Sequence, residues 1–313
     1  MPELPEVETI ARGLAKRVTG DVIESVWLGE KPEPLKSPAH EIAAAIEHTR
    51  IVSVRRMGKH IVFDLERAHL ERAPTPAKGR RSKTKQPGPT PKLRASSTKF
   101  EALADGGVRS ARSESTKSQW IVHLGMTGRL QVCSPKDEVL KHTHAIAKLA
   151  SGRELRFVDP RRFGRLSVAV DFDAGGIEPL EADADSFIAM FRGRKTPIKS
   201  ALLNQKLLRG VGNIYADESL FRTGIRPRRR ASTIRRDQFV KLLASVKEVL
   251  NEAIALGGSS ISDYVNSDGE EGFFQLQHRA YGREGEPCLV CKTPIKRIVI
   301  AGRSSHYCPK CQK

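Results

Sequence analysis

The chain begins with chemistry-bearing residues: a proline at position 2 and carboxylates at positions 3 and 6. Initiator methionine is usually removed when the next residue is small, and its removal would leave Pro2 with a free secondary amine. Such an amine can attack an electrophilic carbon and form a cationic iminium, which is covalent catalysis of the Schiff-base kind. Glu3 lies beside this nucleophile and Glu6 one helical turn further on, so both could transfer protons. The alternative is a terminal tail without a role.

Four of the five cysteines lie in the last 26 residues, as two Cys-x2-Cys pairs separated by 16 residues. This spacing predicts two knuckles joined by a hairpin, with four thiolates around one tetrahedral Zn²⁺. A site closed by four thiolates leaves no position for water, so the predicted zinc is structural; the alternative is a cluster of reduced thiols. The predicted ligands are Cys288, Cys291, Cys308 and Cys311.

Two further segments are candidate anion sites. The glycine-broken turn 209–212 precedes a helix, whose first backbone N–H groups favour anions. Asn213 at this helix start could cap the helix or donate to a phosphate. Arg303 lies between the cysteine pairs, where its guanidinium could bind a phosphate. The alternative is a solvated surface arginine.

Several residues lie in predicted tight turns or at strand ends. Met126 and Phe163 could belong to the core, or could enter a base stack beside Arg161 and fill the gap left by an extruded base. Lys59 lies in a predicted hairpin turn, where it could meet a phosphate.

The elements that must position these residues fall into two parts. Pro5 opens an amphipathic helix that closes at Gly20, and a second helix starts at Ser37. Alternating apolar residues predict strands around 61–65, 120–124, 155–157 and 166–170, so residues 2 to about 170 are interpreted as a β-rich sandwich. Helical periodicity follows, at 186–192, 198–205, 213–221 and 236–256, and short strands surround the cysteines.

The chain of 313 residues carries 54 Lys+Arg against 36 Asp+Glu, a net charge of +18. This charge favours nucleic acid as the partner, with an anionic membrane surface or solubility alone as alternatives. No apolar run approaches the ~20 residues that span a bilayer, and the N-terminus is unlike a signal peptide, so a cytoplasmic protein is predicted.

Residues 67–118 interrupt the strand pattern. They are rich in proline, serine and threonine and carry an excess of basic residues. Low hydrophobicity with high charge predicts a weakly ordered insertion, either a spacer or a tether that adds salt-sensitive affinity for nucleic acid.

These pieces, in this order, resemble the formamidopyrimidine-DNA glycosylase family, bacterial enzymes that excise oxidised purines such as 8-oxoguanine. The resemblance covers nearly the whole chain outside the insertion, for which the family offers no role. Its motifs are residues 2–9, the Gly58-Lys59 turn, and the segments 123–128, 159–164, 204–218 and 281–285 together with the cysteine hairpin.

The resemblance implies catalytic roles for five residues. Pro2 would attack C1′ of the damaged nucleotide, Glu3 would donate and accept protons, and Glu6 would support them. Lys59 would contact the phosphate next to the lesion, and Arg303 would hold the bent backbone. Successive β- and δ-elimination would then cut the strand on both sides of the sugar.

The resemblance also implies a DNA-binding surface. Met126, Arg161 and Phe163 would fill the void left in the helix, with Arg161 facing the orphaned cytosine. The other implied DNA-binding residues are His123, Lys199 and Asn213. A loop at 262–277 would cover the extruded base.

The implied fold class is α+β. Residues 2–172 would form an N-terminal β-sandwich flanked by helices, residues 178–272 a helix-two-turns-helix domain, and residues 278–313 a β-hairpin zinc finger with one Zn²⁺. The implied partner is damaged double-stranded DNA, with no membrane, bound by a monomer in the bacterial cytoplasm at the nucleoid.

Two other functions remain open on this scaffold. One is that of the endonuclease VIII-type glycosylases for oxidised pyrimidines, which share the N-terminal proline and glutamate and the zinc hairpin. Leu4 and the segment 159–164 favour the purine enzyme. The other is a DNA-binding protein without catalysis.

Overall fold

The computed structural model describes residues 1–31, 33–68, 117–260 and 272–313. The predicted insertion therefore lies outside the described residues from position 69 to position 116. Most of the predicted covering loop 262–277, namely positions 262–271, lies outside them as well.

An antiparallel sheet of eight strands makes up the N-terminal part. The strands are β1 (Val22–Leu28), β2 (Thr49–Met57), β3 (His60–Arg67), β4 (Lys117–His123), β5 (Arg129–Cys133), β6 (Thr143–Leu149), β7 (Glu154–Val158) and β8 (Arg165–Ala169). Their order in the sheet is β5-β7-β6-β1-β2-β3-β4-β8. Two residue pairs join β1 to β2, so the sheet has two halves that meet at a short seam. Phe63 and Trp120 from one half share a core with Phe157 from the other, which confirms the predicted β-sandwich.

Two helices pack on this sheet, α1 (Leu4–Val18) and α2 (Ala39–Ile46). Pro5 lies in the first turn of α1, as predicted, and the apolar face of the helix is buried in the sandwich core. Leu4 is the exception, because it packs in the core of the helical part instead. Its backbone N–H donates to the Gly210 carbonyl at 3.0 Å. The start of α1 is therefore anchored on both sides, which fixes Pro2 and Glu3.

The helical part contains α3 (Ala184–Phe191), α4 (Ile198–Leu202), α5 (Asn213–Arg222) and α6 (Arg236–Ala255). The predicted helix 198–205 is shorter than expected and ends at Leu202. Gln205 lies beyond it, because its side chain forms hydrogen bonds with the turn that follows. Its side-chain amide donates to the Val211 carbonyl at 2.8 Å and accepts from the Gly210 N–H at 2.9 Å. These bonds fix the loop between α4 and α5, whose Gly210 carbonyl accepts the Leu4 N–H at the start of α1.

The chain ends in a β-hairpin of β9 (Lys296–Ile300) and β10 (Arg303–Tyr307), flanked by the cysteine pairs. The α+β class is confirmed, whereas the predicted domain boundaries stay a prediction. Within the described residues, no helix combines the length and apolar character needed to cross a membrane.

Candidate active site

The start of α1 opens into a cavity of about 790 Å³. Its walls come from the N-terminal segment, the β2–β3 turn, the start of α5 and the zinc hairpin. The residues from these walls include Pro2, Glu3, Glu6, Lys59, Met126, Asn213 and Arg303. The structure thus brings all five predicted catalytic residues together in one pocket, along with two of the predicted DNA-binding residues.

Glu3 is the central acid of this pocket. It is 5% exposed, and burial raises its pKa from the ordinary value of 4.5 to about 7, against the opposing charge of Lys59. Its Oε1 accepts the Ile214 N–H at 3.3 Å. Its buried Oε2 makes no hydrogen bond with any described residue. The carboxyl can therefore exchange a proton near neutral pH through a free oxygen.

The sequence predicted an anion site at the helix start after the glycine turn. In the structure the Ile214 N–H at this start donates to the carboxyl group of Glu3. The interpretation of Asn213 as a helix cap is wrong, because Gly212 is the N-cap residue. Gly212 also has to be small: a Cβ there would lie 2.1 Å from Cδ of Glu3.

Glu6 is buried beneath Glu3 and holds it in place. Its Oε2 accepts the Glu3 backbone N–H at 2.8 Å, and its Oε1 accepts the Ser259 N–H at 2.8 Å and the Tyr215 hydroxyl. Burial raises the pKa of Glu6 despite these donors. Tyr215 and Ser259 are site residues that sequence analysis missed.

Lys59 occupies the predicted turn between β2 and β3 and is 8% exposed. Burial lowers the pKa of its ammonium, while the charge of Glu3 opposes that change. Among the described residues it has neither an ion pair nor a hydrogen bond. A buried, unpaired ammonium at the wall of a pocket is suited to bind a phosphate.

Met126, Arg161 and Phe163 lie on two neighbouring loops, and Met126 and Phe163 expose their apolar tips. Met126 is 44% exposed and Phe163 is 51% exposed. The Arg161 guanidinium carbon lies 4.9 Å from the centroid of the Phe163 ring, within the range of a cation–π contact. The interpretation of Met126 and Phe163 as core residues is therefore wrong, and they are available to enter a base stack.

Asp159 joins these two loops and was missed by sequence analysis. It is fully buried, and its carboxylate accepts the Thr127 hydroxyl at 2.6 Å from one loop. From the other loop it accepts the Gly164 N–H at 2.7 Å and the Arg161 N–H at 3.2 Å. One acidic side chain thus sets the spacing between the exposed tips.

Asp159→Ala is expected to destabilise the protein by about 2 kcal/mol, because it leaves buried donors unsatisfied. The same variant should weaken binding to a lesion-containing duplex, since both loops lose their common anchor. Urea unfolding and fluorescence anisotropy measure the two effects. The control is Asp185→Ala, which removes an exposed partner of Arg236 and should cost less than about 1 kcal/mol. Equal effects of the two variants would contradict the role given to Asp159.

His123 ends β4 beside the β4–β5 loop, and its Nδ1 accepts the Gly125 N–H at 3.1 Å. Burial, together with the charges of His60 and Lys59, lowers its pKa to about 4. The imidazole is therefore neutral at pH 7, and it shapes the loop that carries Met126.

The remaining predicted residues lie at the zinc hairpin. Arg303 begins β10 and is exposed at the pocket. Asn213 donates from Nδ2 to the Ser304 hydroxyl at 3.3 Å. Lys199 is 1% exposed, and its ammonium is directed at Asp217 and the Ser304 carbonyl.

The four predicted zinc ligands cluster as the spacing required. Their Sγ atoms all lie within 4.8 Å of one another, with 3.4 Å between Cys291 and Cys308 and 4.0 Å between Cys288 and Cys311. Zn–S bonds of about 2.3 Å would separate the sulfurs by about 3.8 Å, so the four thiolates fit one tetrahedral Zn²⁺. This zinc would cross-link the two ends of the hairpin that carries Arg303.

Comparisons with known proteins agree along the whole chain. Sequence models of three domains match it in order: the formamidopyrimidine-DNA glycosylase N-terminal domain at 1–166, the corresponding H2TH domain at 176–265, and a zinc finger found in FPG and IleRS at 285–313. A formamidopyrimidine-DNA glycosylase of Solibacter usitatus is 40% identical, with both chains fully covered.

Two solved structures show the same fold. The MutM (Fpg) protein of Thermus thermophilus is 35% identical, with 99% of this chain and 98% of that chain covered and a TM-score of 0.74. Fpg (MutM) of Lactococcus lactis, solved in complex with DNA containing Fapy-dG, is 27% identical, with 99% and 100% covered and a TM-score of 0.76.

Proposed function

Because the chain belongs to the formamidopyrimidine-DNA glycosylase family, we propose that it excises oxidised purines from duplex DNA and then cuts the strand. The observation that carries this proposal is the state of Glu3. Its carboxyl adjoins Pro2, has a pKa of about 7 and keeps one buried oxygen without a hydrogen-bond partner among the described residues. Such a group can donate and accept protons within one catalytic cycle.

Pro2 supplies the nucleophile once Met1 has been removed. Its ring nitrogen bonds to C1′ of the damaged nucleotide, and the bond from C1′ to the base breaks. Ring opening of the sugar then leaves an iminium, which acidifies the protons on C2′. Their loss permits β-elimination and then δ-elimination, with Glu3 as the adjacent proton carrier and Glu6 holding it.

The enzyme reaches C1′ by extruding the damaged nucleotide, since a stacked base hides its glycosidic bond. We assign Met126, Arg161 and Phe163 to the vacated space, and His123 to the loop that carries Met126. Lys59, Asn213 and Arg303 bind the phosphates of the bent strand. Lys199 contributes through the hairpin that it contacts. The exposed apolar tips and the unpaired ammonium of Lys59 support this assignment.

We extend the proposal to the organisation of the protein. Its sandwich spans 2–172, its helix-two-turns-helix domain 178–272 and its zinc finger 278–313. It acts as a monomer, because one chain supplies every residue assigned above, and we place it in the cytoplasm, on DNA of the nucleoid.

Borohydride trapping on a duplex with one 8-oxoguanine tests the reaction. The mature protein should form a covalent adduct at its N-terminal residue, identified by mass spectrometry. The matched control carries a permanent N-terminal extension, so that the Pro2 nitrogen remains an amide. We expect no adduct from the control. An adduct from it, or none from the mature protein, would disprove the Schiff-base reaction.

The substrate class has its own test. Single-turnover excision should be faster on a duplex with 8-oxoguanine than on one with thymine glycol. A preference for thymine glycol would assign the chain to oxidised pyrimidines instead.

A further inference from the structure

A buried ion pair lies behind the pocket, between α4 and α5. The Lys199 ammonium is 2.7 Å from Oδ1 of Asp217, and the two residues are 1% and 0% exposed. Neither residue lines the pocket. This depth places the pair outside direct reach of DNA in the structure.

Both members of the pair bind the backbone of β10. Lys199 donates to the Ser304 carbonyl at 2.6 Å, and Oδ2 of Asp217 accepts the His306 N–H at 2.9 Å. Asn213, one turn before Asp217 on α5, reaches the Ser304 hydroxyl. The strand is thus held on either side of Ser305, immediately after Arg303.

Burial of such a pair is costly unless its geometry is good and further hydrogen bonds satisfy the two charged groups. Desolvation of two charges can exceed their attraction, and apolar replacements of similar volume are often neutral. Here each charge also satisfies a backbone group of the same strand, so the pair defines where that strand lies. Displacing the strand would displace the guanidinium of Arg303 from the pocket.

We infer that Lys199 and Asp217 are positioning residues that hold β10 so that Arg303 meets the DNA backbone. The inference rests on the proposed function of Arg303 as a phosphate contact. It gives Lys199 an internal role in place of direct contact with a phosphate. Asp217 gains a role that sequence analysis did not assign.

A double-mutant cycle on the full-length zinc protein tests this inference. The paired change Lys199→Met with Asp217→Asn removes both charges at nearly constant volume. We expect kcat/KM for incision of an 8-oxoguanine duplex to fall about 10-fold, because displacement of a positioned group by 1 Å can cost ~10²-fold. In an Arg303→Ala background the paired change should have no further effect.

The salt dependence of duplex binding separates the two roles of Lys199. A direct phosphate contact would lower the slope of log K against log salt by about 0.9 even in the Arg303→Ala background. We expect Lys199→Met to leave the slope unchanged there. A further loss of slope, or effects that multiply in the cycle, would overturn the inference. The salt-slope measurements need binding alone, so they stand apart from the trapping test of the proposed function.

The matched control is a second ion pair of α5. Arg222 binds Glu252 of α6 at 2.9 Å, away from the pocket. Arg222→Met with Glu252→Gln should leave incision unchanged in both backgrounds. Thermal unfolding and a zinc content of one per chain confirm folding. Should the first paired change not fold, Lys199→Arg keeps the buried charge but alters its reach, and its effect should also vanish without Arg303.

Discussion

Replacing Glu3 with glutamine is expected to lower kcat for base excision by about 10²- to 10⁴-fold, the usual contribution of a positioned general acid or base. The amide has nearly the same shape but cannot carry a proton. The free Oε2 and the pKa of about 7 make Glu3 the group whose loss should matter most. Single-turnover excision of 8-oxoguanine measures the effect.

The same substitution should stabilise the folded protein at alkaline pH. The pKa of Glu3 is raised on folding, so the folded state favours the protonated carboxyl. The resulting stability is present below pH 4.5 and is lost as pH rises through about 7. Above that pH the buried charge costs about 3 kcal/mol, which glutamine avoids. Urea unfolding at pH 5 and pH 8.5 should show a much larger gain at the higher pH.

Glu8→Gln is the matched control on the same helix. Burial opposes the ionisation of Glu8, but its hydrogen bond with Arg56 and the charge of that residue outweigh burial and lower its pKa. Its contribution to stability is therefore present above pH 4.5, and glutamine should lose it there without a comparable loss of kcat. If Glu3→Gln destabilised the protein at pH 8.5, or excised at the normal rate, Glu3 would not be the buried acid described above.

Local patterns predicted the parts of the fold whose signals lie within a few residues. The apolar period after Pro5 predicted the helix α1, which the structure contains. The spacing of the cysteines predicted their cluster, which the structure also contains. Strands β1, β2, β5 and β6 were not predicted. Three of them, β1, β2 and β6, contain a shift of register, between Ile23 and Ser25, Ile51 and Ser53, and Thr143 and Ala145. A bulge interrupts the period of two on which strand prediction depends.

The residues of the candidate site also divide into those that the sequence predicted and those that it did not. Residues with reactive groups in short motifs, such as Pro2 and Lys59, could be named from the sequence. The residues that hold them could not, because their contacts join distant parts of the chain. Tyr215 and Ser259 reach Glu6 across more than 200 residues. Asp159 stands in a recognised motif, but its role as a buried acceptor leaves no periodic signal.

The glycine at position 212 shows how closely these distant parts meet, and Gly212→Ala should be nearly as damaging as loss of the acid. Its backbone is extended, at φ −128°, so alanine is not strained there. The new Cβ would lie 2.1 Å from Cδ and within 2.4 Å of both oxygens of Glu3. The carboxyl must therefore move, and we expect a fall in kcat of about 10²-fold.

Two comparisons decide whether Gly212→Ala acts through Glu3. Gly29→Ala places a Cβ no nearer than 3.6 Å to its neighbours and should leave kcat unchanged. In a Glu3→Ala background there is no carboxyl to displace, so Gly212→Ala should have no further effect on the remaining activity. A further loss in that background would mean that the methyl group disturbs the start of α5 itself. Loss confined to the protein that retains Glu3 would show that the glycine provides the space in which the catalytic acid sits.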